Sequence, residues 1–438
     1  MIKAKNRLGL VFFPAFDWAI SPTHPEREER LLYTRDQVME EGLLDIEGIV
    51  EYNPEVAKEQ DVNRVHICVP DVASRTTQSH MISAGGAIAA AKAVLKGKVD
   101  KAFAIVRPPG HHARRIVHGA RGFCNINIEA VMIEKIRKEF GIRKITVVDT
   151  DCHHGDGTQD IYINDPDVLF ISLHQDGRTL YPGTGFVDEM GGPGATGYTL
   201  NIPLPPGTSD EGMLYVIKNV VLPVLEEYKP DIIINSAGQD NHYSDPITNM
   251  NFSAQGYAEL NHLLNPHIAV LEGGYSIEDA LPYVNTGIIL AMAGLNYSNI
   301  KEPDFREGRF RESKSSMERI KRICEEVLRV WNNKERLRSE KIRYRDYVVE
   351  ERRVYYDTDE IMEYQQEKTR VCDECSGFVQ LTSKADTGYR VIALLLPWHA
   401  CDDCAAEAYD IFDSLQEPSG TLVYLQDKDN DLLRVKRL

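Results

Sequence analysis

Two aspartates and a histidine can hold a divalent metal, and two adjacent histidines can move protons beside it. The sequence offers both sets. In VVDTDCHHGDG (147–157), Asp151 and His153 stand two apart at the end of an apolar run, so both can turn toward one ion. Asp240, in SAGQDNH (236–242), follows another such run and supplies a third ligand. Three protein ligands leave a coordination position open, as in a catalytic rather than a structural zinc site. One imidazole with two carboxylates is harder than the usual His-rich set and suits Fe²⁺ as well as Zn²⁺. RPPGHHA (107–113) adds His111 and His112 behind a turn stiffened by Pro108, Pro109 and Gly110. Two buried imidazoles side by side repel if both are charged, so each needs its own partner. Asp149 and Asp156, flanking the metal-type residues, are available. A carboxylate-held histidine facing an activated water is the arrangement of a general base. A plainer reading, in which Asp151 and His153 only cap a loop, leaves Asp240 and the histidine pair unexplained.

Positioning these residues requires strands that end together. AFAIV (102–106) runs into the histidine pair and ITVVD (145–149) into Asp151 and His153. VLFIS (168–172) leads to LHQDG, IIIN (232–235) to SAGQDNH, and IAVL (268–271) to EGGY with Tyr275. Short apolar, β-branched runs without alternation read as strands buried on both faces. Ligands of an open parallel sheet bind beyond the carboxyl ends of its strands. Helical periodicity separates the runs: Ser79–Lys96 is Ala-rich, Ala130, Ile133, Ile136 and Phe140 recur at helical spacing, and so do Met213, Val216, Val220, Val224 and Tyr228. Pro223 is expected to kink the last of these. Ser253 and Ser276 are expected N-caps. Repeated βα units imply an α/β fold, a mainly parallel sheet covered by helices on both faces.

At 438 residues, length suggests roughly two or three domains. A formal net charge of −17 argues against nucleic acid and anionic membrane as partners. No run approaches the ~18 apolar residues of a spanning helix. LGLVFFPAF (8–16) reads as a first buried strand rather than a signal core, because Pro14 and Asp17 interrupt or bound it and no small-residue cleavage site follows. A cytoplasmic location is expected. After Asn299 a charged stretch gives way to Met317, Ile320, Cys324, Val327 and Trp331 at helical spacing, an amphipathic stripe expected to pack one domain against the other. The expected division is a catalytic domain over 1–310, a linker with an amphipathic helix over 311–340, and a small strand-rich α+β domain over 341–438.

Eight cysteines in this length make no disulfide scaffold. Four form two CxxC pairs, Cys372/Cys375 and Cys401/Cys404, separated by 25 residues. That is the paired form of a structural Cys₄ zinc site, with an intervening stretch that fits a β-hairpin. Asp373, Glu374, Asp402 and Asp403 in the knuckles disfavour nucleic acid, leaving protein contact or plain stability as the role.

RPPGHHA, GFCNIN (122–127), VDTDCHHGDG, SLHQDGRTLYPGTG (172–185), SAGQD and LEGGY occur in the order seen in the histone deacetylase superfamily, and HPEREERL (24–31) is similar to its N-terminal loop. Over roughly residues 8–295 the chain resembles a class II-like bacterial or archaeal member, with a zinc-ribbon-like C-terminal extension. The resemblance implies the arginase/deacetylase fold, a three-layer αβα sandwich. It assigns Asp151, His153 and Asp240 to the metal, His112 with Asp156 as the main general base, and His111 with Asp149 as its electrostatic partner. It makes Tyr275 the hydrogen-bond donor to the amide carbonyl and then the oxyanion. Gly122, Phe123, Tyr181, Ile247 and Gly273 would line the acyl tunnel, with Tyr181 standing where Phe is commoner. Ser172 falls at a monovalent-cation (K⁺) site.

The activity so implied is metal-dependent hydrolysis of an acetyl-lysine-type amide to acetate and free amine. A first alternative is an acetylpolyamine or small acetylated-metabolite amidohydrolase. Ile247 mildly disfavours the polyamine substrate, because polyamine-selective relatives can place an acidic residue there. Arginase-like dimetal hydrolysis fits less well, since Asn241 and His242 follow Asp240 rather than a second Asp two positions on. A second alternative, a non-catalytic binding protein on this fold, predicts loss of a ligand, a tandem histidine or the tyrosine, and none is missing. The sequence sets neither the acyl substrate nor the oligomeric state.

Overall fold

In the computed structural model, which describes residues 2–21, 23–306, 308 and 310–438, two large sheets and one two-stranded sheet carry the chain. The first ten strands are β1 (Lys3–Phe13), β2 (Glu47–Tyr52), β3 (Ile67–Cys68), β4 (Lys101–Val106), β5 (Ile116–Val117), β6 (Ile145–Asp149), β7 (Val168–Gln175), β8 (Thr199–Leu204), β9 (Ile232–Ala237) and β10 (Ile268–Leu271). Eight of them form one sheet in the order β2-β1-β4-β10-β9-β6-β7-β8, every neighbouring pair parallel. All five apolar runs read from the sequence are strands of this sheet.

Strand periodicity divides the side chains between two cores. Ala102, Ala104, Val106, Val147 and Ile234 face one way, onto the helices Gln78–Leu95 and Ile128–Phe140. Phe103, Ile105, Val148, Ile171 and Ala269 face the other, onto Glu29–Glu40, Ala254–Leu264 and Leu281–Met292. Burial on both faces explains why these strands lack polar alternation.

The remaining strands, β11 (Tyr347–Tyr356), β12 (Ile361–Arg370), β13 (Val379–Ala385), β14 (Arg390–Leu396), β15 (Leu422–Asp427) and β16 (Leu432–Arg437), form a six-stranded sheet in chain order. It is antiparallel except at β14 and β15, which run parallel because the helix Asp402–Ser414 crosses between them. One face covers that helix. The other presents Val379, Leu381, Val391, Ala393 and Tyr424 to Ile67, Val69 and Ile116 around the short β3/β5 pair of the first unit.

Two local expectations, for Ser276 and for the stripe, are corrected. Ser276 does not cap a helix with its side chain: the helix begins only at Leu281, and it is the Ser276 carbonyl that accepts from Ala280 and Leu281. At Pro223, where a kink is expected, regular α-helical geometry is interrupted but the helix does not end. The proline sits in the first turn of Leu222–Tyr228, preceded by a π-helical segment, Ile217–Val221, whose wider turn accommodates it. The stripe on Lys314–Asn332 does not cement the two sheets together. Ile320, Cys324, Val327 and Trp331 enter the core under the parallel sheet, and Trp331 packs edge-on to Tyr198 and Tyr228. Ser253 does cap its helix, accepting from the Gly256 N–H.

Candidate active site

The carboxyl ends of β4, β6, β9 and β10 meet, and the chemistry-bearing residues project from them. Asp149 ends β6, and Asp151 and His153 follow it; Asp240 lies three residues beyond β9 and Tyr275 four beyond β10. One ligand atom each from Asp151, His153 and Asp240 lies within 4.8 Å of the others, and all three residues are buried. His153 Nδ1 stands 2.7 Å from Asp240 Oδ2 and 3.2 Å from Asp151 Oδ1.

Backbone amides fix the two carboxylates. Asp151 accepts from the N–H groups of His153 and Gly273, and Asp240 from that of Cys152. Gly273 has no alternative, since a Cβ there would lie 2.6 Å from an oxygen of each carboxylate. Burial disfavours charge on His153, yet Asp240 and Asp151 outweigh it and lift its pKa to about 10. A buried pocket of two carboxylates that draws positive charge this strongly fits a divalent cation.

The tandem histidines are differently held. His112 Nδ1 lies 2.8 Å from Asp156 Oδ1, and His111 Nδ1 lies 3.2 Å from Asp149 Oδ2. Burial and the neighbouring charge of His111 push His112 down to about 3, so it is neutral. Burial also opposes charge on His111, but Asp151 and Asp149 reverse the direction and raise it well above the usual imidazole range. The rings are 4.0 Å apart, so one charged and one neutral imidazole resolve the repulsion anticipated from the sequence.

Asp156 is itself shared: Arg114 and Arg121 donate to its second oxygen at 3.1 and 3.0 Å. Glu272 accepts from the N–H groups of Gly110 and His111 and so fixes the turn carrying the pair. Neither arginine was singled out from the sequence. Their signal is only that Arg114 and Arg121 follow the histidines closely, and their contact with Asp156 is long-range.

Tyr275 is buried beneath the guanidinium of Arg30, 5.0 Å from its ring centre, and burial raises its phenol so that it stays protonated. Phe123 packs edge-on to Tyr275 at 5.7 Å and Tyr181 edge-on to His112 at 5.2 Å, each ring against one of the residues read as catalytic. Gly122 lies against the His112 ring. Ile247 is half-buried on the loop after Asp240, where Asp245 takes the N–H groups of both Ile247 and Tyr275. Ser172 stands beside Asp149 in the β6/β7 register, but its hydroxyl bonds His174 rather than the trio.

The four paired cysteines also come together, their sulfurs within 4.8 Å of one another. Cys372 and Cys375 lie between β12 and β13, Cys401 precedes the helix Asp402–Ser414, and the hairpin β13/β14 fills the interval. The N–H groups of Glu374 and Gly377 point at Cys372 Sγ and Cys375 Sγ at 3.4 Å, as suits sulfurs carrying charge. The set fits a tetrahedral thiolate-loving ion such as Zn²⁺.

A signature of the histone deacetylase domain matches residues 70–291. The chain is 46% identical over 339 residues to a probable deacetylase of Archaeoglobus fulgidus, covering 71% of this chain and 93% of that one. It is 36% identical over 237 residues to a histone deacetylase-like amidohydrolase of Pseudomonas aeruginosa (52% and 61%). With an acetylpolyamine amidohydrolase of Burkholderia pseudomallei it shares 38% over 212 residues (47% and 60%). The crystal structure of the HDA15 HD domain superposes with a TM-score of 0.64 at 26% identity, covering 76% of this chain and 98% of that one. Fold, ordered motifs and overall similarity agree: the chain belongs to the histone deacetylase family.

Proposed function

We propose that this protein hydrolyses an acetyl-lysine-type amide to acetate and a free amine. The observation that carries the reading is the neutral, Asp156-bonded His112 beside the buried Asp151–His153–Asp240 trio. The trio would hold Zn²⁺, or Fe²⁺, and such an ion supplies Lewis-acid polarisation of the amide carbonyl and of water. With Nδ1–H given to Asp156, His112 keeps its Nε2 lone pair free to take a proton from attacking water and to return it to the leaving amine. His111, bonded through Nδ1 to Asp149, is the electrostatic partner of His112 beside the trio. Tyr275 donates its phenolic hydrogen to the developing oxyanion. Gly122, Phe123, Tyr181, Ile247 and Gly273 form the walls past which the acyl-lysine stem reaches these groups, and Ser172 marks the K⁺ position.

The division of labour we propose follows the expected boundaries, with catalysis over 1–310, the helix of 311–340 docked on that unit, and a structural Cys₄ zinc over 341–438. The acidic chain argues against nucleic-acid and membrane partners. No helix among the described residues is long and apolar enough to cross a membrane. We place the protein in the cytoplasm.

A second reading, hydrolysis of an acetylated polyamine, is favoured by the similarity to an acetylpolyamine amidohydrolase. Steady-state kinetics on acetyl-lysine peptides, acetylated polyamines and small acetylated metabolites separate the two. The highest kcat/KM on a peptide supports the first, and the highest on a polyamine replaces it. No turnover of any acetylated amine by metal-replete protein sinks both.

A further inference from the structure

The turn between β11 and β12 belongs to the C-terminal sheet, yet its acidic side chains bind the loop that carries Phe123. The Ala120 N–H donates to Asp359 at 2.6 Å, Arg121 Nη1 to the Tyr355 carbonyl at 2.6 Å, and the Gly122 N–H to Asp357 Oδ1 at 3.0 Å. Three consecutive residues of the catalytic unit are thus each tied to residues 355–359. The Tyr181 hydroxyl donates to the same Asp357 Oδ1 at 3.0 Å.

Resting on the reading above, we propose that Asp357 is a positioning residue of the acyl channel, supplied by the C-terminal sheet. It touches no catalytic group and acts through two that do. Gly122 has φ +51°, and a Cβ there would fall 2.3 Å from His112 Cδ2, so the peptide Asp357 holds is packed directly on the general-base ring. Tyr181 packs edge-on to the same ring at 5.2 Å. Its hydroxyl is the atom that distinguishes it from the commoner Phe, and a largely buried phenol needs a hydrogen-bond partner. Asp357 is that partner. Arg121 completes the link, with one nitrogen on Asp156, another on the Tyr355 carbonyl, and its guanidinium carbon 5.3 Å from the Tyr181 ring centre. One turn of the C-terminal sheet therefore sets the position of His112, Asp156 and Tyr181 together.

The test uses full-length, metal-replete protein and an acetyl-lysine peptide. Asp357→Ala should lower kcat/KM roughly 10-fold, since sub-ångström displacement of a reacting geometry is enough for such losses. Asp357→Asn keeps an oxygen acceptor for Gly122 and Tyr181 and should recover most of the loss. In a Tyr181→Phe background the same Ala substitution should lose clearly less, because one of its two targets is gone. Hydrogen exchange at the Gly122 amide should speed up in Asp357→Ala and not in Asp357→Asn. Unchanged kcat/KM in Asp357→Ala, equal losses for Ala and Asn, or full additivity with Tyr181→Phe each overturn the proposal. If the wild-type protein turns over no acetylated amine, the functional reading fails instead, and the Gly122 exchange rate still decides whether Asp357 holds the loop.

Discussion

His112 Nδ1 and Asp156 Oδ1 lie 2.8 Å apart, and the other oxygen of Asp156 is bonded by Arg114 and Arg121. The aspartate is thereby kept ionised and fixed in place, and His112 has one tautomer open to it. We expect His112→Ala to lose ~10²–10⁴-fold in kcat, the range of positioned acid–base catalysis. A near-normal kcat in that variant would contradict the role. His111→Ala should be damaging but milder, and Tyr275→Phe should lose ~10²–10³-fold as a lost oxyanion donor.

Asp240→Ala should remove the catalytic metal while leaving the fold in place. Among the described residues its carboxylate pairs with His153 and accepts from the Cys152 amide, contacts that lie within the trio and not in the sheet's core. Elemental analysis of the purified variant checks this, and unchanged metal stoichiometry with unchanged turnover would refute the ligand assignment.

The Cys₄ cluster should hold a second, independent ion. Protein purified under reducing conditions should contain two transition-metal ions per chain, one in a thiolate environment. Cys401→Ser together with Cys404→Ser should remove the thiolate-bound ion alone and destabilise the C-terminal sheet, because such a site contributes folding free energy directly. A single ion per chain in the reduced wild-type protein would count against the site.

Trp331 belongs to the core beneath the parallel sheet and donates its indole N–H to Glu227 at 2.8 Å. Trp331→Ala should cost about 3–5 kcal/mol of stability by denaturant titration, as for other large buried aromatics. A loss below 1 kcal/mol would mean the helix Lys314–Asn332 is not part of that core.

Stability should depend on pH through His66. It is buried, its Nδ1 lies 2.7 Å from the Arg114 carbonyl and its Nε2 accepts from the Asn127 N–H at 2.8 Å, so the neutral ring is fully satisfied. Burial lowers its pKa from 6.5 to about 4, despite the bond to Arg114. Between those values the unfolded chain binds the proton and the folded one does not. Stability from this group is therefore full above pH 6.5 and falls as pH drops toward 4, by about 3 kcal/mol in all. His66→Gln should flatten that part of the pH profile, and an unchanged slope would show that His66 does not contribute.

The local sequence was enough to place six of the eight parallel strands, though not β2 and β8 at the sheet's two edges, because a strand buried on both faces must be a short run of apolar residues whatever it packs against. It was enough also to single out Asp151, His153 and Asp240, the histidine pair and the two cysteine pairs, because those residue types at strand ends and at CxxC spacing stand out locally, and the fold brings each set together. Contacts distant in sequence lay outside its reach. No periodicity tells that the stripe around Trp331 faces the parallel sheet rather than the second one, because an amphipathic helix states that it has a partner and not which. Nor does any motif mark Arg121 and Asp357, 236 residues apart, as neighbours of one active site. That pairing exists only because the C-terminal sheet lies across β3 and β5, where Ile67, Val69 and Ile116 bury against Leu381 and Tyr424. Local chemistry marked out the candidate residues, and the packing of one sheet on the other decided which distant groups lie against them.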